Sequence, residues 1–154
     1  KILGGDFKKF ENIENLKKFN LVLNYLNELK IKNILADKDK NIINLIKKNN
    51  INIYTQILIG FPPKEIRNLV DDAKKNTNTV VLIFSLESEK TSIGIGISND
   101  LLDNYDASEI ARKLSNYLGG KGGGGRKDFA QSGGAKSTIE NINLSLSKIL
   151  EIIN

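Results

Sequence analysis

The sequence predicts an α/β fold of the α+β type, in which a small mixed β-sheet with packed helices follows a helical linker or arm. Three observations predict this fold. From Ile51 onward, short apolar runs with strand character alternate with segments of helical period. The first strand–helix–strand unit favours parallel neighbouring strands. The second and third strands of this region are joined only by residues 87–90, which indicates an antiparallel hairpin.

Residues 1–50 are predicted to form the helical linker or dimerisation arm. Phe10, Ile13 and Leu16 are spaced like the apolar stripe of a helix. A further short helix is predicted at residues 42–46, where isoleucine and leucine cluster. Stretches rich in Lys and Asn separate these apolar groups, and no sustained heptad predicts a long coiled coil.

Residues 51–154 are predicted to form the globular domain. A β-branched and aromatic run at the start of this region predicts its first strand. Residues 79–86 are continuously apolar and predict a strand that is buried on both faces. Residues 91–98 alternate strictly, with isoleucines on one face and Gly94 and Gly96 on the other. The two glycines would let a neighbouring element pack closely against the sheet.

Three helices are predicted in the same region. Pro63 stands near the first position of one helix. Asp106 begins a capping box at the start of the second helix, and Gly119 is the expected left-handed residue at its end. Ser137 begins a second capping box before an amphipathic helix that reaches the end of the chain. A short edge strand is predicted at residues 129–131.

Composition excludes several kinds of chemistry. The chain has no Cys and no His, which excludes disulfides, zinc fingers, thiol nucleophiles and Ser-His-Asp catalysis. We therefore predict no catalytic residue and no metal site. No apolar run approaches the ~20 residues of a membrane helix, so a cytoplasmic location and no membrane partner are expected. The net charge of +5 is compatible with nucleic acid. Because the chain contains no Met, we expect it to be part of a longer protein.

The segment 119–134 carries the strongest functional signal. Eight of its sixteen residues are Gly, and Lys121, Arg126 and Lys127 add positive charge. Glycine lets backbone N–H groups approach a ligand, and the cations suit a phosphate chain or a nucleic-acid backbone. A dinucleotide-binding motif is excluded because the segment follows a helix, and a P-loop is excluded because neither Ser nor Thr follows Lys121. Composition alone leaves an ordered anion-binding loop and a plain flexible loop equally open.

The non-glycine residues of this segment carry a resemblance. The run Gly-Gly-Lys-Gly-Gly-Gly-Gly-Arg-Lys-Asp-Phe-Ala-Gln-Ser-Gly-Gly resembles the C-terminal signature of bacterial alanyl-tRNA synthetases, in which Arg-Pro-Asp-Met-Ala-Gln-Ala-Gly-Gly follows the first glycines. It departs from that signature at Lys127, Phe129 and Ser132. The likeness continues upstream through residues 63–74 and covers residues 51–154. Residues 1–50 occupy the place of the family's helical linker.

The resemblance implies a DHH-associated domain that contacts the outer corner of tRNA and assists aminoacylation and editing. It implies tRNA as the partner and a possible homodimer through the helical part. It implies ATP, magnesium and zinc only for the parent enzyme, and no cofactor for this chain. Asp128 is expected to order the loop, Phe129 to join the core, and Arg112 and Lys113 to lie on a solvated helix face. The residues expected to contact tRNA by side chain or backbone N–H are Lys121, Gly122, Gly123, Gly124, Gly125, Arg126, Lys127, Gln131 and Ser132.

Two other functions stay open at this point. The same kind of domain closes the active site of DHH-family phosphoesterases, which act on nucleotides or oligonucleotides with manganese. The absence of His leaves only the substrate-binding half of such an enzyme possible. The apolar stripes of residues 1–50 are also compatible with a pure dimerisation module.

Overall fold

The structure is a computed structural model that describes residues 13–153. Phe10, the first residue of the predicted N-terminal stripe, lies outside this range. The chain divides into two compact units, one up to Asn33 and one from Ile34 onward. Helix α1 (Ile13–Ala36) accounts for the described part of the first unit, and many of its large apolar side chains are exposed. No helix within residues 13–153 is both long and apolar enough to cross a membrane.

The second unit is built on one six-stranded sheet, which confirms the predicted fold class. Its strands lie in the order β1-β2-β3-β4-β6-β5. The β2–β3 pair is parallel and the β3–β4 pair is antiparallel, as the crossover and the hairpin predicted, and the other three pairs are antiparallel too. The strands are β1 (Asn41–Lys48), β2 (Ile51–Ile59), β3 (Thr79–Glu87), β4 (Lys90–Ile97), β5 (Gly123–Gly125) and β6 (Phe129–Lys136).

Helices cover both faces of the sheet. Helix α2 (Ile66–Ala73), which follows a 3₁₀ turn at Pro63–Glu65, packs on one face over β3 and β4. Helices α3 (Ala107–Tyr117) and α4 (Ile139–Ile152) contribute to the main core on the other face. That core contains the buried isoleucines of β4 and the apolar stripes of both helices. Helices α3 and α4 therefore cover one face of β4, and α2 covers its other face.

The glycine face of β4 is where α2 approaches the sheet, as the sequence predicted. A Cβ atom on Gly94 would overlap Ile66 Cγ2 and lie 3.0 Å from Val70 Cγ2. A Cβ atom on Gly96 would lie 2.5 Å from Val70 Cγ1 and 3.3 Å from Lys74 Cδ. Any side chain at these positions would push the helix away from the strand, so the close packing of α2 depends on both glycines.

Two sequence predictions of helices and strands are wrong. Residues 42–46 form part of strand β1 and not a helix, because the two-residue turn Asn49–Asn50 folds β1 antiparallel onto β2. Both asparagines have positive φ, 49° and 64°, as a primed hairpin turn requires. The predicted edge strand at residues 129–131 is the start of β6, an interior strand that pairs with both β4 and β5.

The helix caps are partly as predicted. Asp106 caps α3 by accepting a hydrogen bond from Ser108 N at 2.8 Å, and Gly119 ends the helix with φ +70°. The predicted cap at Ser137 is wrong by one residue. Thr138 caps α4 by accepting from the backbone N–H of Asn141 at 3.2 Å, while the buried Ser137 hydroxyl donates to a backbone carbonyl.

Candidate nucleic-acid interface

The glycine-rich segment is folded into a β-hairpin. Strand β5 pairs antiparallel with the first half of β6, and Gly124 lies opposite Gln131. The connecting turn is closed by a 2.8 Å hydrogen bond from Arg126 N to Phe129 O. On the other side, β6 pairs with β4 along most of its length. The segment is therefore an ordered edge of the sheet and not a flexible linker.

Ser115 of α3 anchors the base of this hairpin. Its fully buried hydroxyl donates to Gly133 O at 2.8 Å and accepts from Gly122 N at 3.1 Å. Its backbone carbonyl accepts from Gly120 N at 2.7 Å. A Cβ atom on Gly120 would overlap both Gly133 O and Ser115 Oγ, so the chain passes at a point that admits only glycine. One serine thus fixes the entry to β5 and the middle of β6, at the first residue beyond its pairing with β5.

Sequence reasoning missed Ser115. Its only sequence signal is position, because it lies one helical turn after the buried Ala111 and therefore faces the sheet. Its partners could not be read from the sequence, because only the fold brings Gly122 and Gly133 to its hydroxyl.

The outer edge of the hairpin carries backbone donors that have no partner strand among the described residues. Antiparallel pairs alternate between hydrogen-bonded and non-hydrogen-bonded positions. The bond from Arg126 N to Phe129 O makes these two residues a hydrogen-bonded pair, so the Gly124–Gln131 pair, two positions along, is hydrogen-bonded as well. The N–H groups of Gly123 and Gly125, on either side of Gly124, therefore point away from β6. As β5 is the last strand of the sheet, these two donors face its open edge. An anion that approached this edge would find donors on glycines, with no side chain in the way.

An alternating series of charged side chains links helix α2 to the hairpin turn. We call this series the ionic chain, and its five members are Arg67, Asp71, Lys74, Asp128 and Arg126. Its contacts are Arg67 Nε to Asp71 at 3.7 Å, Asp71 to Lys74 Nζ at 3.5 Å, Lys74 Nζ to Asp128 at 3.0 Å, and Asp128 to Arg126 Nε at 3.1 Å. Three cations share two carboxylates, so the ionic chain keeps a positive charge. An arginine stands at each end of it.

Asp128 is the centre of the turn. Its pKa is held below the ordinary value for Asp, first by the hydrogen bond from Lys74 and further by the charges of Lys74 and Arg126. Its backbone carbonyl accepts from Ile97 N at 3.0 Å, which ties the turn to the end of β4. The neighbouring Lys127 carbonyl accepts from Ala107 N at 2.9 Å and ties the turn to α3. Asp128 therefore remains ionised and ordered at neutral pH.

The predicted contact residues do not all share one surface. Gln131 lies opposite Gly94 and so projects on the α2 side of the sheet. Ser132 lies opposite Ile93 and projects on the other side, where its hydroxyl is buried without a protein partner. The structure does not bring the Ser132 hydroxyl to the surface. The exposed members of the predicted set are Lys121, Gly124, Gly125, Arg126, Lys127 and Gln131.

The remaining residues named from sequence lie as follows. Phe129 is buried on the α2 side, and the guanidinium carbon of Arg67 stands 4.9 Å from its ring centroid. Arg112 is exposed and bonds its own helix backbone, while Lys113 forms an ion pair with Glu109 at 3.1 Å. Among the residues that the structure describes, no three acidic side chains group together as a metal site.

This fold and hairpin define a known class of domain. Residues 50–154 match the DHHA1 domain, and the chain belongs to that family. The match begins at the turn between β1 and β2, so β1 lies outside it although it belongs to the sheet.

The individual relatives are alanine–tRNA ligases. The chain is 37% identical over 104 residues to the enzyme of Hyphomonas neptunium, which is 64% of this chain and 12% of the relative. It is 36% identical over 125 residues to that of Francisella tularensis subsp. holarctica, which is 80% of this chain and 14% of the relative. The chain thus matches about an eighth of the length of such relatives.

Solved structures agree with this assignment. The C-Ala domain of Aquifex aeolicus alanyl-tRNA synthetase has a TM-score of 0.65 and 29% identity, covering 71% of this chain and 96% of that domain. An exopolyphosphatase-related protein of Bacteroides fragilis has a TM-score of 0.54 at 14% identity, covering 81% of this chain and 34% of that protein. The second likeness shows a shared fold alone. The resemblance inferred from the glycine segment is confirmed.

Proposed function

We propose that this chain is the C-terminal domain of an alanine–tRNA ligase and binds the elbow of alanine-accepting tRNA. In this role it assists the aminoacylation and editing that the rest of the parent enzyme performs. ATP, magnesium and zinc would act elsewhere in the parent. The single observation that supports the proposal most is the ordered glycine hairpin, whose exposed edge carries Lys121, Arg126 and Lys127.

The hairpin offers two kinds of phosphate contact. The cations supply the electrostatic attraction, which accounts for much of the affinity of proteins for nucleic acids. The outward N–H groups of Gly123 and Gly125 supply donors that lie close to the backbone of an incoming strand. Arg126 is positioned by Asp128, while Lys127 lies near Asp106 and helps to lower the pKa of that carboxylate, after the larger effect of the hydrogen bond from Ser108.

A homodimer is also part of the proposal. Helix α1 exposes Phe19, Leu21, Val22, Tyr25 and Leu26 by more than half of their surface, which is a large apolar strip for one helix. A second copy of the chain is the occupant that the resemblance implies. The likeness to the exopolyphosphatase-related protein gives no independent support for a phosphoesterase role, because it shows the fold alone.

A filter-binding titration with a transcript of alanine-accepting tRNA tests the proposed binding. We expect the triple replacement of Lys121, Arg126 and Lys127 by Gln to raise the Kd by roughly tenfold or more at moderate salt. Each lost phosphate contact also lowers the slope of log K against log salt by about 0.7–0.9, so the loss of three contacts should lower it by about two to three.

The matched control is the replacement of Lys38, Lys40 and Lys47 by Gln. These lysines are exposed and lie at or near β1, at the opposite edge of the sheet, so the net charge changes equally while the hairpin is untouched. If both triple variants lose the same affinity for tRNA, the loss comes from net charge and not from the position of the hairpin cations. Unchanged affinity in the hairpin variant would refute the proposed role of the hairpin.

A further inference from the structure

Among the described residues of the second unit, none covers one part of the sheet face beside α2. Helix α2 lies over β3 and β4, and the next strands on that face are β6 and β5. There the exposed positions are Gly124, Gln131 and Gly133, which we call the shelf. A Cβ atom on Gly124 would have no neighbour within 4 Å, and one on Gly133 would meet only Thr91 O, at 3.9 Å. The shelf is therefore flat, open backbone with one amide side chain.

Arg67 stands on α2 at the side of this shelf. Its guanidinium lies over the ring of Phe129, which lies on the α2 face two residues before Gln131. Phe129 is buried, so the ring is a fixed platform. The Arg67 side chain nevertheless keeps 55% of its surface exposed, and its ion pair with Asp71 is through Nε. The guanidinium carbon lies 4.9 Å from the centroid of the Phe129 ring, and more than half of the Arg67 side chain stays open to a ligand.

The charges around Arg67 favour an anionic partner. Asp71 and Asp128, the two carboxylates of the ionic chain, are both engaged by cations. The ends of the chain are Arg67 beside the shelf and Arg126 at the turn of the hairpin. A polyanion laid along the hairpin edge would meet cations at both ends of this surface.

We propose that Arg67 and the shelf form a site for an unpaired nucleobase of RNA. This inference rests on the proposed tRNA-binding function and adds a contact outside the glycine segment. The base lies on the shelf with its ring against the Arg67 guanidinium, and Gln131 offers an amide to the edge of the base. The adjoining phosphates run along β5.

The chemistry of each group fits this assignment. A guanidinium is planar and weakly hydrated, and it stacks on aromatic rings and on bases. Since Phe129 already holds Arg67 in place, little side-chain entropy is lost on binding. A glycine surface allows a flat ring to approach within van der Waals distance, which a strand with side chains would prevent. RNA loops supply unstacked bases of this kind.

The discriminating variant is Arg67→Lys in the full 154-residue chain, because it keeps the charge and removes the planar group. We expect its Kd for the tRNA transcript to rise about tenfold, the effect of losing one stacked base, with the salt slope unchanged. The matched control is Arg112→Lys, the same chemical change on the solvated face of α3. The control should bind as the wild-type chain does.

A second measurement reports stacking directly. A short RNA hairpin that carries 2-aminopurine in its loop is titrated with each variant, and fluorescence is recorded. Wild-type chain should change the 2-aminopurine emission, and Arg67→Lys should change it much less at saturation. If Arg67→Lys has the same Tm as the wild-type chain, its weaker binding of RNA is a local effect of the replaced side chain and not a consequence of lost stability.

The outcomes separate this inference from the proposed function. If the wild-type chain binds no tRNA, both fail. If the hairpin triple variant loses affinity but Arg67→Lys binds as the wild-type chain does, the nucleobase site is refuted and the hairpin role stands. If Arg67→Lys keeps the affinity and Arg67→Gln lowers both affinity and salt slope, Arg67 contacts a phosphate and the nucleobase site is again refuted.

Discussion

The replacement Ser115→Ala isolates the anchor of the glycine hairpin. The variant removes one oxygen atom from a fully buried position and leaves the helix and the sheet otherwise intact. Gly122 N–H then loses its acceptor and Gly133 O loses a donor. Both groups belong to the segment that carries the predicted RNA contacts, so the variant connects stability with function.

The expected loss follows from these two hydrogen bonds. A typical intramolecular hydrogen bond contributes about 0.5–1.5 kcal/mol net, and a buried group left without a partner costs about 1–3 kcal/mol. Gly122 is only partly buried, so water can replace part of its lost bond. We therefore expect a decrease of about 1–3 kcal/mol in the free energy of unfolding, which lowers the Tm by about 4–10 °C in a domain of this size.

Urea and thermal unfolding of Ser115→Ala and Ser145→Ala measure this loss against a matched control. Ser145 is also a buried serine in a helix, but its hydroxyl donates to Ile142 O at 2.8 Å within α4 and holds no second segment. Both variants gain the same helix propensity from Ala, so that gain cancels in the comparison. The Ser145→Ala variant should lose clearly less stability.

Hydrogen exchange locates the effect. Amide exchange of Gly122 should become faster in Ser115→Ala, while amides of β2 and β3 exchange only as the global stability dictates. Equal stability of the two serine variants, or a Gly122 amide that exchanges as in the wild-type chain, would refute the anchoring role of Ser115.

Two more predictions concern the packing and the charges of α2. Gly94→Ala should destabilise the chain by about 1–3 kcal/mol in urea unfolding, because its methyl group overlaps Ile66, whereas Gly124→Ala on the open shelf should cost clearly less; equal losses would contradict the packing argument. The lowered pKa of Asp128 adds stability that is complete above the ordinary Asp pKa of about 4 and is lost as pH falls through the lower folded value. Lys74→Met removes the largest cause of that shift, so the variant should be less stable at pH 7, and the difference should shrink toward pH 3. A difference that is constant with pH would contradict this origin.

Local signals in the sequence were sufficient for much of the fold. The alternation around Gly94 predicted both the isoleucine face and the glycine face of β4, because side chains of a strand alternate by geometry. The cap at Asp106 was predictable because a capping box involves residues only three apart. The parallel β2–β3 pair followed from the strand–helix–strand order of the chain. Each of these features depends on neighbours in the chain.

The errors arose where local patterns are ambiguous. Isoleucines and leucine at residues 42–46 satisfy a short helix and a strand equally, and only pairing with β2 decides between them. The turn Asn49–Asn50 was the available signal, since asparagine tolerates positive φ better than most residues. Strand β6 was underestimated because Gly133 and Gly134 have low strand propensity, which the ladder with β4 overrides.

The candidate site was predictable in location but not in geometry. The glycine segment identified the hairpin, yet Arg67 and Lys74 are remote in sequence from Arg126 and carried no motif. Their role depends on the close packing of α2, which places the helix beside the hairpin turn. No pattern in the sequence measures the distance between Lys74 Nζ and Asp128, so the ionic chain becomes visible only in three dimensions.

The ionic chain also explains why a cationic surface contains carboxylates at all. The arginines at its two ends are 55% and 70% exposed, and exposed ion pairs contribute only about 0–1 kcal/mol each, so the end pairs add little stability. Its geometric effect is larger, because each carboxylate is held between two cations and fixes their separation. Without Asp128, the turn would keep more positive charge, but Arg126 would have no partner to orient it. Recognition of a nucleic-acid backbone depends on where the guanidinium donors stand as well as on how many charges are present, and the two aspartates determine where they stand.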